Sequence, residues 1–212
     1  GGLLGLLGRE NIVHPVLAFT GSRGVAGAAS VEEATVIREN EMQEEDQVLG
    51  WEEPIFLRLP SYDDDSKQVQ EQDALLLAEV FDQVQPDIIF MPDIADNQPR
   101  HHLLTAMALT VVADRARSVE LLFYETPWSL LDTSKINFVV PLKQRSVLMK
   151  KHGISVHESK LARNDFISIA KAMMILRAYV LPELLGGFGI EADLGSRAEV
   201  YSYQKYQPAY EA

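Results

Sequence analysis

The sequence predicts an α/β fold, a Rossmann-like three-layer sandwich with a mostly parallel sheet and helices on both faces. Short apolar, β-rich runs recur at residues 11–20, 54–59, 88–91, 119–124 and 136–140, bounded by turn formers. Segments of helical periodicity lie between them. Strands separated by helices need crossover connections, which are right-handed and lay helices over a parallel sheet. At 47% hydrophobic over 212 residues, the chain can bury the core of one domain, so a single domain over 1–212 is expected.

The elements follow in order. The chain opens Gly1-Gly2-Leu3-Leu4, without a methionine and in apolar, helix-like sequence. No charged n-region or A-x-A site makes this a signal peptide, so the expectation is a chain whose beginning lies upstream. The run at 11–20 ends in the turn Gly21-Ser22-Arg23-Gly24. Ser30-Val31-Glu32-Glu33 is a capping box that starts a helix running to Leu49, where Gly50 stops it. A strand at 54–59 leads to an acidic loop at 60–67. Leu75, Leu76, Ala78, Val80 and Val84 mark an amphipathic helix over 68–84. Pro86-Asp87 introduces the strand at 88–91, and a loop at 93–100 precedes a helix over 101–117. Thr126-Pro127-Trp128 breaks the chain after the strand at 119–124. A strand at 136–140, helices at 142–152 and 158–181, a glycine-rich loop at 186–195 and a strand at 198–203 complete the pattern.

Composition excludes several classes. There is no cysteine, so any metal must be held by His, Asp or Glu. A formal charge of −12 argues against a nucleic-acid partner, which would need a basic face. No run of 18 apolar residues suggests a membrane span. No G-x-G-x-x-G or Walker A segment supports a nucleotide-binding domain. Ligands of open α/β sheets bind beyond the carboxyl ends of the strands. This places residues 20–27, 93–102 and 125–128 at one rim.

The loop Asp93-Ile94-Ala95-Asp96-Asn97-Gln98-Pro99-Arg100-His101-His102 carries the chemistry. His and carboxylate side chains suit zinc or a similar divalent ion. Two adjacent histidines on a first helical turn point in different directions, so one alone faces a site. The structural alternative is helix capping by Asp96 or Asn97 with exposed histidines.

Several blocks together resemble the PIG-L (LmbE-like) family of zinc-dependent N-deacetylases. Its D-x-H-P-D-H segment follows a strand ending in P-D-x-[IV]-[IFV]. Here Pro86-Asp87-Ile88-Ile89-Phe90 is followed by Asp96-Asn97-Gln98-Pro99-Arg100-His101. Gly1-Gly2-Leu3-Leu4 is similar to the G-G-x-L start of the family's first helix. Leu17-Ala18-Phe19-Thr20-Gly21 is similar to its L-T-x-G strand end. Arg38-Glu39-Asn40-Glu41 with Leu49-Gly50, then Lys143, His152 and Ser155, and finally Ala198-Glu199, fall in family order.

The resemblance implies metal-assisted amide hydrolysis. In the family, a His and an Asp of an A-H-P-D-D-E segment and the last His of H-P-D-H hold zinc. The other Asp of the first segment is the general base, and the first His of H-P-D-H stabilises the oxyanion. His101 matches the third zinc ligand. Gln98 stands in place of the oxyanion histidine and Arg100 in place of its Asp partner. Arg38, Asp96 and Trp128 are the substrate-contact candidates. The A-H-P-D-D-E segment normally lies just before the G-G-x-L start, so the domain is expected to lack its first strand and metal-binding loop here. The implied function is removal of an acyl group, acetyl on the family pattern, from an N-acylated amino sugar of the N-acetylglucosamine type or a related small amide. The alternative is a catalytically inactive relative with a binding or assembly role. A small-molecule partner, a homo-oligomer and a cytoplasmic location are the accompanying expectations.

Overall fold

The computed structural model describes residues 2–8, 10–64, 66–115, 117–187 and 193–207. In chain order these form α1 (Gly2–Leu7), β1 (Val16–Leu17), α2 (Val31–Leu49), β2 (Ile55–Phe56), α3 (Lys67–Val84), β3 (Ile88–Pro92), α4 (Pro99–Ala113), β4 (Val119–Tyr124), β5 (Phe138–Pro141), α5 (Gln144–Ser155), α6 (Glu158–Leu161), α7 (Phe166–Gly186) and β6 (Ala198–Tyr206). The α/β class is as expected. The strands form a two-stranded sheet, β1-β2, and a four-stranded sheet in the order β3-β4-β6-β5. β1 and β2 pair in parallel, as do β3 and β4, whereas β6 runs antiparallel to β4. The chain divides into two compact units, Gly1–Arg58 with Val139–Glu199 and Leu59–Phe138 with Val200–Ala212.

In the first unit α2 is framed by its ends. Ser30 accepts a hydrogen bond from Glu33 N–H at 3.0 Å. The Glu33 carboxylate reaches back to Ala29 N–H, one residue earlier than the box pattern places it. Gly50 ends the helix at φ 71°, a conformation that costs a side-chain-bearing residue energy. α2 packs on α5, which also carries α1 and α7. The buried Glu199 carboxylate of β6 accepts Gly2 N–H and Leu3 N–H, each at 2.8 Å, and pairs with Lys150 at 2.6 Å. Burial acts to raise its pKa, but the Lys150 ammonium and these donors hold it at about 2. Gly2 fits closely here: a Cβ would lie 2.9 Å from a Leu142 methyl and 3.3 Å from Glu199, so the Leu142 side chain would have to shift.

In the second unit one face of β3 and β4 is covered by α3 and α4. Val119, Leu121 and Phe123 alternate along β4 and meet Met91, Ala78, Phe81, Val111 and Val112 in one buried cluster. Each of the larger side chains, fully buried, is worth about 1.5–3 kcal/mol. α3 departs from its expected apolar face. Leu75 and Leu76 are exposed, while Asp73 is fully buried. Asp73 accepts Ser61 N–H at 2.9 Å, so a polar tie to the 3₁₀ turn Pro60–Tyr62 occupies the position a pure periodicity reading gives to an apolar side chain.

Three boundaries also differ. β1 and β2 are two residues each, shorter than their apolar runs. The helix expected at 101–117 starts at Pro99 and ends at Ala113, because proline needs no N–H partner in a first turn and Gln98 caps it. The helix expected at 158–181 is two. α6 stops at Leu161, and Asp165 caps α7 by accepting Ser168 N–H at 2.9 Å. α7 then continues through Pro182 to Gly186, and part of the expected glycine loop, 188–192, lies outside the described residues.

Asp46, on the buried side of α2, makes stability depend on pH. Neither carboxylate oxygen has a hydrogen-bond partner among the described residues. Burial, and after it the Glu45 charge, raises its pKa from 3.8 to about 7. The native state therefore holds the proton more tightly than the unfolded chain. Asp46 disfavours folding increasingly as pH rises from 3.8 to about 7. Asp46→Asn is expected to raise Tm at pH 8 by about 4 °C or more and to change it little at pH 4. Equal shifts at the two pH values in thermal melts would contradict the assignment.

Candidate active site

The parallel register sets Pro92 of β3 opposite Tyr124 of β4, so both strands end at the same edge. Asp93 N–H extends the pairing by donating to the Tyr124 carbonyl at 3.2 Å. Two loops leave this edge together, 93–98 into α4 and 125–129 beyond β4. In the first, Asp93 Oδ1 accepts Ala95 N–H at 2.8 Å and the Lys135 ammonium at 3.2 Å. Asp96 N–H then donates to the Asp93 carbonyl at 2.9 Å. This tight turn carries the Asp96 side chain into the protein, where it is 1% exposed.

Asp96 is the hub of the site. Its Oδ1 accepts Gln98 N–H at 2.7 Å. Its Oδ2 accepts the Thr126 hydroxyl at 2.6 Å and faces His101 Nδ1 at 3.2 Å. Burial works to raise the Asp96 pKa, but the hydrogen bonds from Thr126, Gln98 and His101 outweigh it and lower the pKa. An ionised carboxylate only accepts, so the proton on His101 belongs to Nδ1. Nε2 is then the nitrogen that carries a lone pair.

Around this hub the second loop is clamped. Thr126 and Ser129 exchange backbone hydrogen bonds at 3.0 and 3.1 Å. Asn97 Nδ2 donates to the Trp128 carbonyl at 3.1 Å. The Trp128 ring stands nearly perpendicular to the His101 ring, with centroids 5.8 Å apart at 87°, and is half exposed. Asp96, Gln98, His101 and Trp128 are thus brought together, as four of the six side chains expected at the site.

The helix cap is Gln98, not Asp96 or Asn97. Its Oε1 accepts Arg100 N–H and His101 N–H. With Oε1 held against the helix, Nε2 is the donor end of the amide. Arg100, although on the same turn, sends its guanidinium to the Ser61 carbonyl at 2.7 Å and over the Tyr62 ring at 5.9 Å. His102 turns away, with Nδ1 2.6 Å from the Ile94 carbonyl, as two adjacent helical positions require.

Arg38 lies in the first unit, buried on α2. It pairs with Glu41 and meets Ser159 Oγ at 3.3 Å. Glu41 in turn accepts Ser159 N–H at 2.6 Å and so ties α2 to α6. His157 is held by Glu45 at 2.8 Å in the same cluster. Sequence reasoning missed Thr126 and His157. The partners of each lie 30 and 112 positions away, and no local pattern marks them.

Among the described residues no three His, Asp or Glu side chains converge as metal ligands. These residues therefore fit one ligand of a zinc site rather than the whole of one. His101 has the form of such a ligand, with Nδ1 on a buried carboxylate and Nε2 on the far side of the ring from it.

The PIG-L family, described as GlcNAc-PI de-N-acetylase, matches residues 1–112, somewhat more than half of the chain. No curated protein matches the sequence. The fold is similar to that of the conserved protein TT1542 from Thermus thermophilus, at 21% identity and TM-score 0.68 over 94% of this chain and 85% of that one. It is similar to N,N'-diacetylchitobiose deacetylase from Pyrococcus horikoshii, at 21% identity and TM-score 0.68 over 96% of this chain and 77% of that one. It is also similar to GalB, the 4-carboxy-2-hydroxymuconate hydratase from Pseudomonas putida, at 13% identity and TM-score 0.71 over 100% of this chain and 91% of that one.

The Gln98 cap can be tested by stability. Gln98→Ala should cost about 1 kcal/mol in denaturant unfolding, and Gln98→Asp, which restores an acceptor, should recover most of it. A fully stable alanine variant would show that the cap does not anchor α4.

Proposed function

We propose that this chain, which belongs to the PIG-L family of GlcNAc-PI de-N-acetylases, acts as a zinc-dependent deacetylase of an N-acylated amino sugar or related small amide. The observation that carries this reading is the Asp96–His101 pair at the shared carboxyl edge of β3 and β4. On the resemblance, His101 corresponds to the last histidine of H-P-D-H and Asp96 to the aspartate that opens D-x-H-P-D-H.

His101 would hold zinc through Nε2 as one of its ligands. Bound zinc would lower the pKa of a water molecule and polarise the amide carbonyl. The chain's own residues orient and contact the substrate. Gln98 Nε2 offers one neutral hydrogen bond to an oxygen, in place of a charged histidine. Arg100 holds the Pro60–Tyr62 turn against the start of α4. Trp128 presents a ring face suited to the apolar face of a sugar. Asp96 acts mainly by holding His101. The family's description as GlcNAc-PI de-N-acetylase supports an amino-sugar substrate, and none of the described helices is long and apolar enough to cross a membrane. A homo-oligomer accompanies the proposal as its assembly state.

The test is metal content together with acetate release from N-acetylglucosamine-containing substrates. Wild-type protein should carry stoichiometric zinc and release acetate. His101→Ala should weaken zinc binding by more than about 100-fold, beyond the roughly 10- to 100-fold loss typical of an outer-shell partner. Protein that binds no zinc and turns over no amide would reject the enzyme and favour a binding role. Trp128→Ala should raise KM about 2- to 10-fold with kcat little changed, the loss expected for one aromatic stack. A fall in kcat at constant KM would count against stacking.

A further inference from the structure

The Thr126 hydroxyl is buried, on a residue 4% exposed, and lies on a loop otherwise concerned with Trp128. It is bonded on both sides. Trp128 N–H approaches Thr126 Oγ1 at 3.3 Å, while Oγ1 lies 2.6 Å from Asp96 Oδ2. A hydroxyl has one proton. With a backbone N–H on one side and a carboxylate on the other, that proton goes to Asp96. The order of donation is thereby set: Trp128 N–H to Thr126, Thr126 O–H to Asp96, and His101 Nδ1–H to Asp96.

The two Asp96 oxygens have separate duties. Oδ1 is held by Gln98 N–H at 2.7 Å, within its own loop. Oδ2 faces His101 at 3.2 Å, and its shorter bond, at 2.6 Å, is to Thr126. The anchor that fixes Oδ2 in space therefore comes from the loop after β4, not from the loop that carries Asp96. The same four-residue turn, Thr126 to Ser129, sets the Trp128 ring against the His101 ring. One turn thus restrains both the position of the Nδ1 partner and the room available to the imidazole ring.

We propose that Thr126 is a positioning residue that, through Asp96, locks His101 in the Nδ1–H tautomer and so leaves the lone pair on Nε2, away from Asp96. A free histidine side chain prefers the opposite tautomer, with the proton on Nε2, so this state must be imposed by the protein. The inference rests on the reading of His101 as the functional histidine. It concerns the state of the ring before any metal or substrate arrives.

The test is ¹⁵N NMR of the metal-free protein at pH 8, with His101 assigned by its loss in His101→Ala. Wild type should show a protonated-type Nδ1 and an unprotonated-type Nε2. Thr126→Val should average the two nitrogens toward intermediate shifts as Asp96 swings, and Thr126→Ser should restore the wild-type pattern. Asp96→Ala should place the proton on Nε2. A role in stability alone would lower Tm in Thr126→Val and leave the tautomer unchanged, which would overturn the proposal. So would a wild-type His101 already carrying its proton on Nε2, a result that does not depend on any variant folding. The readout needs neither zinc nor turnover. Failure of the deacetylase reading and failure of this one are therefore told apart.

Discussion

The register between β3 and β4 is the constraint on which the candidate site depends. With Pro92 paired to Tyr124, the loops that follow the two strands emerge side by side, and residues 30 positions apart come within a hydrogen bond. The register itself is held by burial. Val119, Leu121 and Phe123 face the α3–α4 layer, and a slip of one residue would turn that face outward. The apolar core of the second unit and the polar geometry of its loops are thus one problem solved once. A change in the core that moved β4 along β3 would also separate Thr126 from Asp96.

Buried carboxylates do much of the joining in both units by accepting from donors around them, although Asp73 Oδ1 has no partner among the described residues. Asp96 receives three, Glu199 receives two backbone N–H groups and an ammonium, and Asp73 receives Ser61 N–H. Unmatched, each would cost several times what a hydrogen bond returns. Asp46 is the contrast. Its oxygens have no partner among the described residues, and its pKa moves up by burial while that of Asp96 moves down. Similar carboxyl groups are pushed in opposite directions by the presence or absence of donors.

The fold does not choose the chemistry. Solved structures that share it include both a deacetylase and a hydratase. Support for deacetylation therefore comes from family membership, and the side chains at the strand edge are where it is to be tested. Two of those side chains depart from the family pattern, and the structure gives each another task. Gln98 caps α4 with its oxygen, and Arg100 grips the Pro60–Tyr62 turn. The two substitutions act as local structure at the same point where the family keeps a charged pair.

By itself the sequence determined the α/β class, the strand at 119–124, the Ser30 and Gly50 limits of α2, and the family. These depend on signals that are local in the chain, such as apolar runs, caps and short motifs with fixed spacing. It also separated His101 from His102, because adjacent helical positions diverge. It did not reach the antiparallel entry of β6, the exposure of Leu75 and Leu76 in favour of Asp73, or the break between α6 and α7. Nor could it link Thr126 to Asp96 or His157 to Glu45. Those contacts join segments that meet only when strands pair and helices pack. The tertiary structure decided them because a hydrogen bond depends on distances of a few tenths of an ångström, which no spacing along the chain encodes.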